Sequence, residues 1–299
     1  MPTVSSVSPS SGSSNGGTNV TITGTNFAAG STVTFGGTAA SNVVVVSSTS
    51  ITATTPAHAA GAVNVVVNDS NGSGTLTNGF TYTTVSVGIG VVQVATPQTP
   101  QGSTASVQIQ YSSPQTAGDL NVLVVGWNDT SAAVQSIADT FHNTYVLAAG
   151  PVKGTALTQA VYYAKNIVSG GGVNTVTVTF TTAASYPDIR AAEFSGLSTT
   201  APLDVAAPNG GAAGTNGAGT TVSSGVATTS AANELIFGAG ITSGGFNKQG
   251  SGFTSEGLTQ DGSISEHEIV SQTGSYGATA ALGPYGSQAW VMQMVAFKQ

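Results

Sequence analysis

Asn19-Val20-Thr21-Ile22-Thr23-Gly24-Thr25-Asn26-Phe27 alternates polar and apolar side chains up to a glycine, then closes on an aromatic ring. Successive side chains of an extended chain point to opposite faces, so Val20 and Ile22 share one face and the threonines the other. This is the pattern of a half-buried strand. The same period recurs in Thr32-Val33-Thr34-Phe35, Val63-Asn64-Val65-Val66-Val67 and Ser106-Val107-Gln108-Ile109-Gln110-Tyr111, and again in Val176, Val178 and Phe180 with threonines between them. Gly, Asn, Ser and Pro clusters separate the runs at the spacing of an all-β sandwich, and no window carries a 3.6-residue stripe. No long helix is expected.

The composition narrows the function. The 299 residues include 5 Lys+Arg against 12 Asp+Glu, and charged residues make up 6% of the chain, against about 25% in a typical soluble domain. So sparse and acidic a surface cannot neutralise a run of phosphates, which argues against nucleic acid and against anionic membrane as partners. No stretch reaches the roughly 18 consecutive apolar residues of a membrane helix, so no membrane insertion is expected. There is no cysteine, hence no disulfide framework, thiolate metal site or thiol nucleophile. Met1-Pro2-Thr3 leads straight into a polar segment without a signal sequence, while the Ser/Thr/Gly/Ala/Val-rich composition is that of bacterial secreted proteins. The expected location is extracellular or at the cell surface, with any leader removed before this numbering.

Residues 1–84 carry a pattern of their own. Val7-Ser8-Pro9-Ser10-Ser11-Gly12 is followed by Gly16-Gly17-Thr18, the Asn19–Phe27 stretch and Val33-Thr34-Phe35-Gly36-Gly37. Then come Thr52-Ala53-Thr54-Thr55-Pro56, Gly61-Ala62-Val63-Asn64-Val65 and a closing Gly79-Phe80-Thr81-Tyr82. In this order the segment resembles the IPT/TIG domain, which implies an immunoglobulin-like β-sandwich. Pro9 and Gly12 turn the chain, Gly24–Phe27 caps a strand with an apolar plug, and Phe80 and Tyr82 alternate into the core. The resemblance implies a spacer or binding module, in some members adhesive or dimerising.

From residue 85 a strand-like apolar run ends in a Pro/Gln/Thr segment, so residues 85–101 read as a linker or as the first strand of a second domain. A sharper account makes Val85, Val87, Ile89, Val91, Val92 and Val94 an exposed strand that completes another subunit's sheet. Residues 102–299 hold long apolar strands: Asp119–Trp127, Ala160–Lys165, Ile189–Phe194, Asn233–Gly240 and Gln288–Phe297. The last is apolar on both faces, which places it centrally in a two-layer, jelly-roll-like β-sandwich. The order of Ala117-Gly118-Asp119-Leu120, Tyr186-Pro187-Asp188-Ile189-Arg190 and Trp290–Phe297 resembles a β-sandwich domain found beside IPT/TIG domains in bacterial extracellular proteins. Asn209–Gly219, low in complexity, reads as a surface loop.

Few residues suggest chemistry. His58, His142 and His267 are scattered, and strand alternation turns His267 away from Glu266 and Glu268. Those two glutamates share a face about 7 Å apart, a separation open to paired glycosidase carboxylates but more often a solvated edge. Asp119, Asp129 and Asp139 recur at intervals of ten, too wide for a compact calcium loop and typical of turn caps. No cofactor is expected, with loop calcium as the one exception. No nucleophile elbow or phosphate-binding loop is present. Among the aromatic residues Trp127 and Trp290 sit in apolar strands, whereas Tyr276 and Tyr285 lie in glycine-rich loops where a ring could stack on a sugar.

The sequence therefore leads first to a non-catalytic extracellular structural or adhesive protein, self-associating and possible as a filament subunit. The physical warrant is that a Ser/Thr/Gly/Ala surface is cheap to desolvate against a like surface. The alternative is a carbohydrate-binding module that takes surface glycans through Tyr276 and Tyr285. A third reading is a glycan-active enzyme using Glu266, Glu268 or Glu193.

Overall fold

The computed structural model describes residues 1–14, 16–83 and 88–299. The chain divides into two compact units, Met1–Ser86 and Val87–Gln299, and the described residues contain no α-helix.

The first unit holds β1 (Thr3–Ser8), β2 (Ser11–Ser13), β3 (Asn19–Thr25), β4 (Thr32–Phe35), β5 (Thr38–Ala39), β6 (Ser41–Ser47), β7 (Ser50–Thr54), β8 (Gly61–Asp69) and β9 (Gly72–Thr83). Two sheets, ordered β1-β3-β7-β6 and β2-β9-β8-β4-β5, make an immunoglobulin-like sandwich. The chain changes sheets between β1 and β2, at the Pro9–Gly12 turn, and β2 then runs parallel to β9. Period-two alternation delivers Val20, Ile22, Val33, Phe35, Val63, Val65, Val67, Phe80 and Tyr82 to one core. Phe80 meets Phe35 edge-on at 5.3 Å and Tyr82 at 5.0 Å. The Tyr82 hydroxyl donates to the Pro56 carbonyl at 2.9 Å, which supplies the polar partner a buried tyrosine needs.

Gly24 shows why the Gly24–Phe27 plug has its form. A Cβ there would lie 1.9 Å from the Thr3 carbonyl oxygen and 2.5 Å from the Phe27 ring. Gly24→Ala is therefore expected to destabilise this unit by about 1–3 kcal/mol, read as a lower midpoint in chemical denaturation of the full chain.

The first half of the second unit contains β10 (Gly90–Val94), β11 (Ser103–Pro114), β12 (Leu120–Trp127), β13 (Val134–Asp139), β14 (Val146–Lys153), β15 (Thr158–Ala164), β16 (Val173–Ser185) and β17 (Asp188–Ser195). These form sheets ordered β10-β17-β12-β15-β14 and β11-β16-β13. The second half continues with β18 (Leu203–Ala206), β19 (Ala212–Asn216), β20 (Thr221–Ser223), β21 (Ala227–Thr228), β22 (Glu234–Thr242), β23 (Phe246–Gln249) and β24 (Thr254–Leu258). It closes with β25 (Ile264–Val270), β26 (Ser275–Tyr276), β27 (Thr279–Leu282) and β28 (Gln288–Lys298). Its main sheets are ordered β18-β28-β22-β25-β24 and β20-β27-β23.

Apart from β19 and the separate β21-β26 pair, the two orders match strand for strand, and both are jelly-roll-like. Register carries the repeat down to residues. Leu120 pairs with Phe194 as Leu235 pairs with Phe297, and Val124 with Arg190 as Ala239 with Gln293. Gly118 and Asn233, each two residues before those leucines, both have positive φ, +94° and +56°. The larger sandwich is thus a jelly roll built twice.

The halves stack back to back, giving four layers with three main cores and a small cluster of Leu157, Ile241 and Val291. Val107, Ile109, Trp127, Val178 and Ile189 fill the first. Val122, Val161, Phe194, Phe237, Val295 and Phe297 fill the second, between the halves. Phe246, Ile264, Ala280, Met292 and Met294 fill the third. This corrects the two-layer expectation for the closing strand. β28 is apolar on both faces because each faces another sheet, one across the junction and one within its own half.

A polar spine crosses the middle layer. Arg190 Nε lies 2.8 Å from Asp188 Oδ1, its Nη2 donates to Gln159 Oε1 at 2.7 Å, and its Nη1 donates to the Ile264 and Gly240 carbonyls. Gln159 Nε2 then donates to Gln293 Oε1 at 3.1 Å, and Gln293 Nε2 to the Gly210 carbonyl at 2.8 Å. Buried polar groups hold their place only when paired in this way.

Asn209–Gly219, expected as a loop, contains a strand. β19 pairs antiparallel with β28, Ala212 opposite Met292 and Asn216 opposite Gln288. The small residues that read as low complexity allow close approach. A Cβ on Gly214 would meet the Trp290 ring at 3.0 Å, and the indole N–H donates to Asn216 Oδ1 at 2.7 Å.

Candidate functional site

At one end of the second unit the connections of both halves converge. The turn after β22 (Ser243–Gly245), the β24–β25 turn (Gln260–Gly262) and the β27–β28 loop (Gly283–Ser287) enclose an open cleft of about 630 Å³. A second depression of about 190 Å³ adjoins it, lined by Asn128, Tyr186 and Asp188 from the first half and by Thr242 from the second. Ser243 and Asp261 line both.

Glycine makes the floor. A Cβ on Gly262 (φ +77°) would lie 2.4 Å from Gly245 Cα, so the two turns touch backbone to backbone. They are tied there by Phe246 N–H to the Gly262 carbonyl at 2.8 Å and Gly283 N–H to the Gly245 carbonyl at 2.8 Å. Tyr285 stands above this floor with 64% of its surface exposed. Its loop is anchored by the buried Gln288, whose Nε2 donates to the Gly283 and Tyr285 carbonyls, each at 3.0 Å. The ring is therefore presented to solvent from a tethered backbone.

Tyr186 is the second exposed ring, at 48%. Its φ is +43°, a conformation that costs a bulky side chain about 1–3 kcal/mol and that clusters at ligand sites. Its backbone N–H donates to the Gly102 carbonyl at 3.0 Å. One residue before that glycine, Gln101 Nε2 donates to Asp261 Oδ1 at 3.2 Å. Gln98 forms a β-bridge with Ile189. The Pro/Gln/Thr segment before residue 102, legible only as a connection, is thus packed into the second unit and steadies both a tyrosine and an aspartate of the cleft.

The lining is electrostatically simple. Asp188 is neutralised by Arg190 beneath it and accepts a hydrogen bond from Thr259 Oγ1 at 2.9 Å. Asp261 is exposed, and among the described residues no lysine or arginine lines either depression. Hydroxyl donors and acceptors can be met here, whereas an anionic ligand would find no counter-charge.

The other expected site residues fall elsewhere. Tyr276 is half-buried against the third core, its hydroxyl donating to the Gln272 carbonyl at 2.9 Å. It precedes β27 and Tyr285 follows it, so the two rings stand at opposite ends of that strand and form no common platform. Val85 and Val87 lie outside the described residues. Ile89 packs at the margin of the middle core. Val91, Val92 and Val94 are 39%, 43% and 37% exposed on β10, which pairs with β17 of its own sheet and is interrupted by a register shift between Val91 and Gln93. The Gln93 side chain bonds the Ser113 backbone through both its oxygen and its nitrogen. A bulge and a side chain on the edge both hinder pairing with another chain.

Glu193, Glu266, Asp129 and Asp139 are each held in hydrogen-bond networks of their own. Glu266 is buried in the third core, accepts the Gly250 N–H at 2.8 Å, and is pushed up to about 7 by that burial. His267 faces the middle core instead, 5.9 Å from Phe194, with Nδ1 2.5 Å from Glu256. Glu193 lies in the first half, held by Gln93 Nε2 at 2.6 Å and Thr116 N–H at 2.7 Å. Asp129 caps a turn: desolvation works against its charge, but the N–H groups of Ser185, Ala132 and Ser131 outweigh it and hold the carboxyl below its usual range. Asp139 accepts from the Phe141 and Asn143 N–H groups and from Asn174. Among the described residues no three His, Cys, Asp or Glu side chains are grouped to hold a metal ion.

Residues 2–84 match the family model of the IPT/TIG domain. The first unit is thus an IPT/TIG domain, and a doubled jelly roll follows it. No curated protein matches the chain. Among solved structures, an auxiliary nutrient binding protein from Bacteroides ovatus is 26% identical over 32% of this chain and 23% of its own, with a TM-score of 0.24. SGBP-B from a xyloglucan utilization locus in Bacteroides uniformis is 11% identical over 64% of this chain and 72% of its own, also at 0.24. The plexin A4 extracellular region is 18% identical over 57% of this chain and 13% of its own, at 0.27. This chain spans about a quarter of the first of these proteins. Such scores describe a loose likeness, and the functional reading rests on this chain's own geometry.

Proposed function

We propose that this protein is an extracellular or cell-surface module that binds neutral glycans in the cleft around Tyr285, without catalysis. The observation that carries the reading is a solvent-exposed ring on a tethered loop above a glycine floor, within an open cleft of about 630 Å³. The apolar face of a sugar packs on such a ring while its hydroxyls are met by Asp261, Gln260 and Ser287 at the edges. The lack of cations among the lining residues selects against uronic acids, sulfated sugars and phosphates. Strand-addition assembly has its own supporting feature, the exposed Val91, Val92 and Val94, but the bulged edge of β10 weighs against it.

A glycan array followed by calorimetry tests this. Tyr285→Ala should lower affinity for the bound neutral glycan about tenfold, since ring stacking contributes about 0.5–1.5 kcal/mol beyond area burial. Far-UV circular dichroism should stay unchanged. An array on which only anionic glycans bind, or none, would refute the assignment, and so would full affinity in the alanine variant.

A further inference from the structure

We propose that the cleft is a two-platform site, in which Tyr285 and Tyr186 each take a sugar ring of one neutral oligosaccharide chain and Asp261 accepts hydroxyl groups at the crossing between them. This rests on the glycan-binding reading and extends it from one subsite to a ligand of defined minimum length running across both jelly-roll halves.

Three observations converge on it. The two depressions adjoin and share Ser243 and Asp261 in their linings. Each contains one exposed tyrosine, and the two rings come from corresponding connections: Tyr186 lies between β16 and β17, Tyr285 between β27 and β28, the matching strand pairs of the repeat. Two copies of one loop have thus been brought to the same end by back-to-back stacking of the halves. The third is conformational. Tyr186 holds φ +43°, where glycine or asparagine would sit without strain. Its ring stays in solvent, nearly half exposed, rather than recovering that cost by burial in a core. A ring kept outward at the expense of backbone strain is what a ligand platform requires.

Asp261 fixes the crossing. Gln101 Nε2 bonds both of its oxygens, at 3.2 and 3.4 Å, so the carboxylate is oriented before a ligand arrives, and each oxygen keeps lone-pair capacity for a sugar hydroxyl. Tyr285 and Tyr186 line different depressions, so a monosaccharide stacked on Tyr285 occupies one platform only. Chain length is therefore the property that the site reads.

The test is calorimetry with glucose and with β-1,4-glucan, α-1,4-glucan, β-1,4-xylan and β-1,4-mannan oligosaccharides of increasing length. For the series that binds, wild-type affinity should rise at least tenfold from the monosaccharide to chains long enough to cover both rings. Tyr186→Gly should erase that rise and leave short-ligand affinity within about twofold, while Tyr285→Ala weakens every length. Because glycine relieves the positive φ, Tyr186→Gly should also melt no lower than wild type, which separates a platform from a residue that merely supports the fold. A wild type indifferent to chain length, or a Tyr186→Gly variant that keeps the long-chain gain, overturns the two-platform site while glycan binding at Tyr285 stands. Failure of every series to bind overturns both readings.

Discussion

Arg190→Ala should destabilise the doubled jelly roll by about 3–5 kcal/mol, the cost of breaking a buried ion pair from one side. For a unit of this size that lowers the melting temperature by on the order of 10 °C. Arg190 is buried between the halves, and its loss leaves the Asp188 carboxylate buried without a counter-charge. It also strips donors from Gln159 Oε1 and from the Ile264 and Gly240 carbonyls. Each orphaned buried polar group adds its own desolvation cost. Removing both charges in Arg190→Met/Asp188→Asn should recover part of the loss, because a buried pair replaced as a whole costs less than one broken from one side. Calorimetric melting of the full chain separates this from the IPT/TIG domain, whose transition should not move. A single variant that melts like wild type would mean the spine is incidental to the junction.

The second large effect is with pH, and its direction is opposite to that of a protein held by salt bridges. Three buried carboxyls are raised to about 7. Asp119 is raised by desolvation and then by the charge and hydrogen bond of Glu193. Glu234 is raised by desolvation and then by its hydrogen bond to Asp204, and Glu266 by desolvation that outweighs the Gly250 and Thr279 backbone hydrogen bonds favouring its charge. The ordinary values of these groups are 3.8 and 4.5. Between there and 7 the folded chain binds more protons than the unfolded one, so stability falls as pH rises. The stabilisation is complete below about pH 4 and gone above 7. Asp129 and Asp204 act in reverse, because both are held below 3.8 despite desolvation, by hydrogen bonds that acid removes. Maximum stability should therefore lie near pH 4–5, within reach of the sequence isoelectric point of about 4.5. A tenfold difference in proton affinity between folded and unfolded chain is worth about 1.4 kcal/mol, so the melting temperature should be on the order of 10 °C higher at pH 5 than at pH 8. Glu266→Gln should flatten part of that slope and stabilise the protein at pH 8. A melting temperature that climbs from pH 5 to 8 would contradict the assignment of these groups as buried neutral acids.

Both effects depend on residues that carry no local signal. Arg190 sits in Asp188-Ile189-Arg190-Ala191-Ala192, and Glu266 in Ser265-Glu266-His267-Glu268, where alternation alone would place a polar residue toward solvent. They are buried because their sheets are covered on both faces, a consequence of how the two halves stack. Strand periodicity describes one sheet face at a time and cannot report that a second sheet lies across it.

The all-β class and the first unit in its detail were already written in the order of residues. Local alternation and turn residues decide a small sandwich almost completely, down to Phe80 and Tyr82 in the core and the glycine before the Phe27 plug. The low charge that leaves the cleft without cations was legible too, since composition survives folding unchanged. Tyr285 is exposed as expected, whereas Tyr276, read the same way from its glycine-rich surroundings, is half-buried in β26 against the third core. The rest came from packing in three dimensions. The repeat of the jelly roll is carried by hydrogen-bond register and by matched positive-φ positions at Gly118 and Asn233, while Asp119-Leu120 and Glu234-Leu235 match for only two residues before Asn121-Val122 and Ile236-Phe237 differ, too short a likeness to read as a repeat. Tyr186, Asp261 and Tyr285, 75 and 24 residues apart in the chain, line two adjoining depressions that share Asp261, because connections of the two stacked halves emerge at one end. Separations of that length are bridged by packing between sheets, which no window of sequence contains.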